Sequence, residues 1–242
     1  MKKILIIIVL SLSAVSALAK EPSEILRIID RNLSPVSYES YRKLINIEPD
    51  GDSKEFVLYT VKKGNDKISS LFLSPASENG RSTLRLGDNM WLYIPNVGRP
   101  VRITSLQSVI GGVFNNADIM SLDYTQEYDV ELMEESSDRY VLYLKAKTKT
   151  VAYAKVTITA DKKTMLPISI DCLTDEKMLI KTLHFSDVKD FGDGIKRPAV
   201  IETDSPLYKG YKSVMIFAKV KSREFPDEIF TMDFMSRMQE IR

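Results

Sequence analysis

Apolar and polar residues alternate with period two along most of this chain, the spacing of a strand with one buried face. Tyr140, Leu142, Leu144 and Ala146 alternate with Val141, Tyr143 and Lys145. Ala152, Ala154, Val156 and Ile158 alternate with Tyr153, Lys155 and Thr157, and Leu166, Ile168, Ile170 and Cys172 with Pro167, Ser169 and Asp171. Further strands are predicted over 38–47, 56–61, 68–73, 83–86, 90–94, 101–104, 178–185, 197–203, 212–221 and 228–233. Asp50-Gly51, Gly64-Asn65, Asn79-Gly80 and Gly192-Asp193-Gly194 supply turns between them. Two stretches carry a helical period instead. Ile25, Ile28, Ile29 and Leu33 follow Pro22 and Glu24, which suit a first helical turn, and Pro35 ends the segment. Leu106, Val109, Ile110, Val113, Phe114 and Ala117 predict a second helix, broken at Gly111-Gly112 because each glycine weakens it by roughly 1 kcal/mol. The tail after Phe234 predicts a short helix carrying Met235, Met238 and Ile241.

Ten or so consecutive antiparallel strands exceed what a flat sheet holds. The fold class is therefore mainly β (α+β): a strongly curved antiparallel sheet forming an unclosed half-barrel, with helices covering the concave apolar face. Such a shell keeps an apolar interior that its own side chains do not fill completely.

The N-terminus has a separate pattern. Lys2 and Lys3 precede an almost unbroken apolar run from Ile4 to Leu12, and Ala17-Leu18-Ala19 has the small-x-small form of a cleavage site. Residues 1–19 read as a signal peptide, cut after Ala19, and residues 20–242 as one domain outside the cytoplasm. Loss of Lys2 and Lys3 takes 34 basic side chains to 32 against 33 acidic ones. That balance gives no electrostatic footprint for nucleic acid. Cys172 is the only cysteine, so no intrachain disulfide forms, and it reads as a small buried apolar residue.

Catalytic chemistry finds no support. His184 is the only histidine and sits on a predicted strand with Ile180 and Thr182 on its face, which excludes paired-histidine metal sites and leaves a serine triad one candidate imidazole. Gly51-Asp52-Ser53 has the letters of a lipase nucleophile block but lies at a hairpin tip, and Lys181 stands where that family's partner aspartate belongs. The acids Glu131, Glu134, Glu135 and Asp138 read as a solvated loop. No cofactor, metal or enzymatic activity is expected.

The segment Gly87-Asp88-Asn89-Met90-Trp91-Leu92-Tyr93-Ile94-Pro95-Asn96 resembles the Met-Trp-x-Tyr-x-Pro strand of the LolA/LolB-like superfamily, and in particular its branch of periplasmic outer-membrane lipoprotein-sorting proteins. Gly111-Gly112-Val113-Phe114-Asn115-Asn116-Ala117-Asp118-Ile119-Met120 is similar to that branch's glycine-led segment, and Ile229-Phe230-Thr231-Met232 to its closing strand. The resemblance implies a helical lid over a hydrophobic cavity that binds acyl chains of lipoproteins or other lipids. It implies an inner-membrane donor complex and an outer-membrane acceptor as partners. It also implies an arginine on an early strand that latches the lid; Arg42 is the only arginine of the first predicted strand, but the quoted motifs do not reach it, so the latch is not expected to carry over. Alternative readings are a lipid-sensing regulatory or scaffold module of the envelope and a lipid hydrolase. The expected cavity residues are Leu71, Leu73, Leu84, Met90, Leu92, Ile110, Val113, Phe114, Ile119, Met120, Leu142, Leu144, Val156 and Ile168. Trp91 and Tyr93 are expected on the opposite face of their strand, and Gly111 and Gly112 as a hinge.

Overall fold

A computed structural model describes residues 20–242; the signal-peptide reading of residues 1–19 lies outside them. Helix α1 (Pro22–Leu33) comes first. It is too short to be stable alone, and burial of Ile25, Leu26 and Ile29, at roughly 2 kcal/mol each, holds it against the sheet. Six strands follow: β1 (Ser37–Ile47), β2 (Ser53–Lys63), β3 (Lys67–Ser74), β4 (Ser82–Leu86), β5 (Asn89–Tyr93) and β6 (Val101–Ile103). A long crossover carries two single-turn helices, α2 (Asn116–Ile119) and α3 (Tyr124–Glu127). Seven strands complete the sheet: β7 (Tyr128–Glu135), β8 (Arg139–Ala146), β9 (Lys155–Asp161), β10 (Pro167–Leu173), β11 (Leu179–Asp190), β12 (Lys196–Asp204) and β13 (Lys212–Ser222).

All thirteen strands form one antiparallel sheet in the order 6-5-4-3-2-1-13-12-11-10-9-8-7. It is two meanders joined along one seam, where β1 pairs with β13 from Tyr38↔Ser222 to Ile47↔Lys212. The edges, β6 and β7, do not pair with each other, so the sheet is an unclosed half-barrel. The chain must travel from edge to edge, and residues 104–127 do so across the concave face together with α1.

Both faces carry apolar side chains. The concave core joins α1 and the crossover to residues such as Leu44, Leu58, Phe72, Leu142, Val156 and Ile170. The convex face of β2–β4 is covered by the C-terminal segment, which folds as two 3₁₀ turns, Asp227–Ile229 and Met235–Ile241. There Phe225, Phe230, Met235 and Met238 pack on Tyr59, Val61, Leu71 and Leu84.

Three expectations are corrected. Residues 228–233 are a 3₁₀ turn and bends rather than a strand; the closing strand is β13. The acids 131–135 lie on β7, an edge strand whose exposed charges suit a position with one unpaired side. The helix expected from Leu106 to Ala117 does not form. Ile110 (φ +54°) and Gly111 (φ +78°) are left-handed, and Ser108 and Asn115 bridge across them as a tight hairpin. Helix begins only at Asn116, where Asn115 and Asp118 form a capping box: the Asn115 side chain accepts from the Asp118 amide and Asp118 Oδ2 from the Asn115 amide. The apolar spacing came from a loop that faces the core, and the start signal lay nine residues further on.

Candidate functional site

The crossover is fastened to the sheet largely by polar side chains. From β1, Arg42 donates to the Ile119 carbonyl (2.9 Å) and to Thr60 Oγ1. From β4, Arg85 donates to the Met120 carbonyl (3.0 Å) and pairs with Glu127. From β11, Lys181 Nζ donates to the Val113 carbonyl (2.6 Å) and pairs with Asp118 (2.7 Å). Lys62 of β2 pairs with Asp123. Ser213 Oγ of β13 accepts from the Val113 amide (2.9 Å) and donates to Asn46 Oδ1 (2.8 Å). The Arg42 contact ties the first strand to the crossover, a bond that the sequence motifs alone did not assign.

Helix α1 takes part through Asp30. Its carboxylate accepts from the Tyr124 amide (2.8 Å) and from the amide and hydroxyl of Thr125, so it caps α3 from another element. Burial outweighs those bonds and raises the Asp30 pKa to about 6.

Between the crossover and the sheet lies a pocket. Its floor is β1 and β11–β13, through Tyr38, Arg42, Leu183, Phe185, Arg197 and Phe217; its roof is the crossover, through Phe114, Leu122 and Tyr124. The space between atoms is about 900 Å³ including the open mouth, but a water-sized sphere can centre itself in only about 80 Å³ of it. At roughly 10–15 Å³ per sphere, that holds about six water-sized groups. With the crossover in this position the space is too small for a long flexible chain.

Of the expected cavity residues, Phe114 lines this pocket. Met90, Ile119, Met120, Leu142, Leu144 and Val156 are buried in the surrounding concave core, with Ile110 packed against it and Val113 buried beside it. Leu71 and Leu84 are buried in the convex cluster, and Leu73 packs on it, as do Trp91 and Tyr93. Leu92 is half-buried and belongs to neither cluster. Ile168 is exposed: a bulge between Pro167 and Ser169 turns it off the face that carries Ile170 and Cys172. Gly111 stands in open space. Gly112 is pressed on Asn46, and a β-carbon there would overlap the Asn46 amide.

Sequence reasoning missed the polar half of the site. Among the described residues five cations are buried, Arg42, Lys62, Arg85, Lys181 and Arg197, all on the concave side. The available signal was a charge at an inward parity position, as at Arg42 between Ser40 and Leu44. Other candidates are placed plainly: His184 is exposed 3.8 Å from Asp204, and Ser53 is exposed on a hairpin. Cys172 is buried, and burial pushes its thiol well above the usual range. Among the described residues no helix is long and apolar enough to cross a membrane, and no cluster of metal-ligating side chains occurs.

Comparison with known proteins agrees with this architecture. A LolA superfamily protein from Nitrosomonas europaea superposes with a TM-score of 0.80 at 26% identity, over 89% of this chain and 100% of its own. A domain attributed to an outer membrane lipoprotein-sorting protein of Vibrio parahaemolyticus gives 0.74 at 18% identity, over 89% and 98%. A DUF1329 family protein from Desulfovibrio piger gives 0.76 at 22% identity, over 88% and 97%. No curated protein matches. A family model described as "Uncharacterized protein" matches residues 64–237, well over half of the chain. The chain belongs to the family of that model, and its fold is LolA-like.

Proposed function

We propose that this protein is a non-enzymatic carrier, exported by cleavage after Ala19, that holds acyl chains of lipoproteins or other lipids on their way to the outer membrane. The observation that carries the reading is the pocket between the concave face and a lid held by side chains, through carbonyl bonds and ion pairs. Exposing an acyl chain to water costs about 0.8 kcal/mol per CH₂, so a carrier needs an apolar hollow. It must also release its cargo, so the cover has to separate without unmaking a sheet ladder. Arg42, Arg85 and Lys181 hold the lid by bonds that water can replace, whereas β1 to β13 keep their own pairing when it lifts. The relative from Vibrio parahaemolyticus is named for lipoprotein sorting, which supports the same class of cargo. An inner-membrane donor and an outer-membrane acceptor are the partners this reading requires. In it, the Gly111–Gly112 hairpin is where the lid rests on the central seam, and Ile119 and Met120, whose carbonyls the arginines hold, are uncovered when the lid lifts.

The test is native mass spectrometry of the protein recovered from the periplasm, followed by depletion and fractionation of outer-membrane lipoproteins. A co-purifying lipid or acylated protein, with lipoproteins lost from the outer membrane on depletion, is expected. Protein that carries no lipid under any loading condition overturns the proposal.

A further inference from the structure

Arg197 differs from the other buried cations. Arg42, Lys62, Arg85 and Lys181 each reach a backbone carbonyl or a carboxylate of the crossover. Arg197 is only 3% exposed and forms no ion pair among the described residues. Its Nε donates to the Pro198 carbonyl at 3.3 Å, and its guanidinium lies 3.9 Å over the Phe217 ring. Its terminal N–H groups make no hydrogen bond among the described residues and, unlike Arg42 Nε, are not sealed off, so they open onto the pocket. Arg42 faces the same ring at 5.7 Å, and its Nε is buried without a partner. Both arginines line the pocket.

A buried charge is normally paired, because desolvation without a counterion is among the costliest arrangements in a protein. The pocket does contain carboxylates, but each is engaged elsewhere. Asp118 is held by Lys181 and the Tyr153 hydroxyl, Asp123 by Lys62, Glu127 by Arg85, and Asp30 by the start of α3. Ring stacking recovers part of the cost for Arg197 and supplies no hydrogen-bond acceptor. Burial pushes its pKa down to about 10, so it stays charged near neutrality. A planar guanidinium with free N–H groups matches the oxygens of a carboxylate or phosphate.

We propose that Arg197, assisted by Arg42, receives the acidic headgroup of an amphiphile, a carboxylate or phosphate borne on an acyl chain. The inference rests on the carrier reading and adds the chemistry of the cargo. The headgroup meets the free edge of the Arg197 guanidinium, whose face is stacked on Phe217, and the chain runs along Leu183, Phe185, Ile201 and Met215. An anion that engages Arg42 also competes with the Ile119 carbonyl, so loading loosens the latch that the same arginine makes.

The test titrates the full exported chain at neutral pH with dodecanoate, dodecyl phosphate, dodecanol and inorganic phosphate. Charge-assisted hydrogen bonds predict that the wild type binds the two acidic amphiphiles about tenfold or more tighter than dodecanol. Arg197→Met should abolish the preference for the acidic amphiphiles over dodecanol and raise the Tm; a structural arginine would lower the Tm on replacement. Dodecanoate favoured over dodecyl phosphate marks a carboxylate cargo, and the reverse order a phosphate cargo. Equal binding of acidic and neutral chains, unaltered by Arg197→Met, overturns this inference and leaves the carrier reading standing. Binding of no chain at all overturns the carrier reading itself. Inorganic phosphate binding as tightly as dodecyl phosphate overturns the amphiphile and leaves a site for free anions. Should Arg197→Met not fold, Arg197→Gln takes its place, and a folded Gln variant with the full anionic preference is equally decisive against the proposal.

Discussion

Two adjacent glycines at the lid's tip should respond oppositely to the same methyl group. Gly111 has a φ of +78° with open space around its β position, so Gly111→Ala meets only backbone strain, about 1 kcal/mol. At Gly112 a β-carbon would overlap Asn46 Oδ1 and Cγ and lie 2.6 Å from Nδ2. Relief requires Asn46 to swing away, which breaks its bonds with Ser213 (2.8 Å) and the Ile110 carbonyl (3.4 Å). Two hydrogen bonds at about 1 kcal/mol each, plus about 1–3 kcal/mol for overpacking, give a loss of about 3–5 kcal/mol for Gly112→Ala. Asn46→Ala alone forfeits the bonds, about 2 kcal/mol, and removes the obstacle. The double variant should therefore be less destabilised than the sum of the singles by about 2 kcal/mol or more. Urea unfolding followed by circular dichroism measures all four proteins. Additivity within about 0.5 kcal/mol, or a greater loss from Gly111→Ala than from Gly112→Ala, refutes the argument.

Asp30 should leave a mark on the pH profile. Its folded pKa, about 6, is raised from 3.8 by burial, so its stabilising share is fully present below the unfolded value and is lost as pH rises through about 6. Between pH 7.5 and 4.5 the wild type should gain about 2 kcal/mol relative to Asp30→Asn in urea unfolding; parallel profiles contradict this. Arg85→Met strands the largely buried Glu127 and should cost about 3–5 kcal/mol, with Glu127→Gln added to it restoring most of the loss in thermal melts. Met238→Ala should cost about 2–4 kcal/mol yet leave acyl binding unchanged, because Met238 packs on the convex face. Leu183→Trp, which fills the pocket, should do the reverse, abolishing lipid retention in native mass spectra while the fold persists.

Most of the sheet could be read from the sequence because period-two patterning and turn glycines are local signals. Gly51, Gly64, Gly80, Gly192 and Gly194 all occupy left-handed turns between strands where the sequence placed them. Which face a strand buries is not local. In β3, Ile68 and Phe72 point to the concave core while Leu71 and Leu73 meet the C-terminal segment, and both sets are equally apolar. Nothing within the strand distinguishes them. β7 was hidden by its acids, whose exposure on an edge mimics a loop. The lid was misread because an irregular segment pressed on a core can imitate helical spacing. The buried cations showed only as charges at inward positions, and the partners of Arg42, Arg85 and Lys181 could not be read because they lie on the crossover, far away in sequence.

The seam between β1 and β13 sets the order in which the molecule can be completed. Every other strand pairs only with its neighbour in the chain, whereas this ladder joins Tyr38 to Ser222 and Ile47 to Lys212. Closing so long a loop costs about 5 kcal/mol in chain entropy before any contact repays it. A polypeptide delivered N-terminus first therefore holds two half-built ribbons until β13, which begins at Lys212, arrives. Only then do the halves zip together and the pocket floor that holds Arg197 acquire its second side.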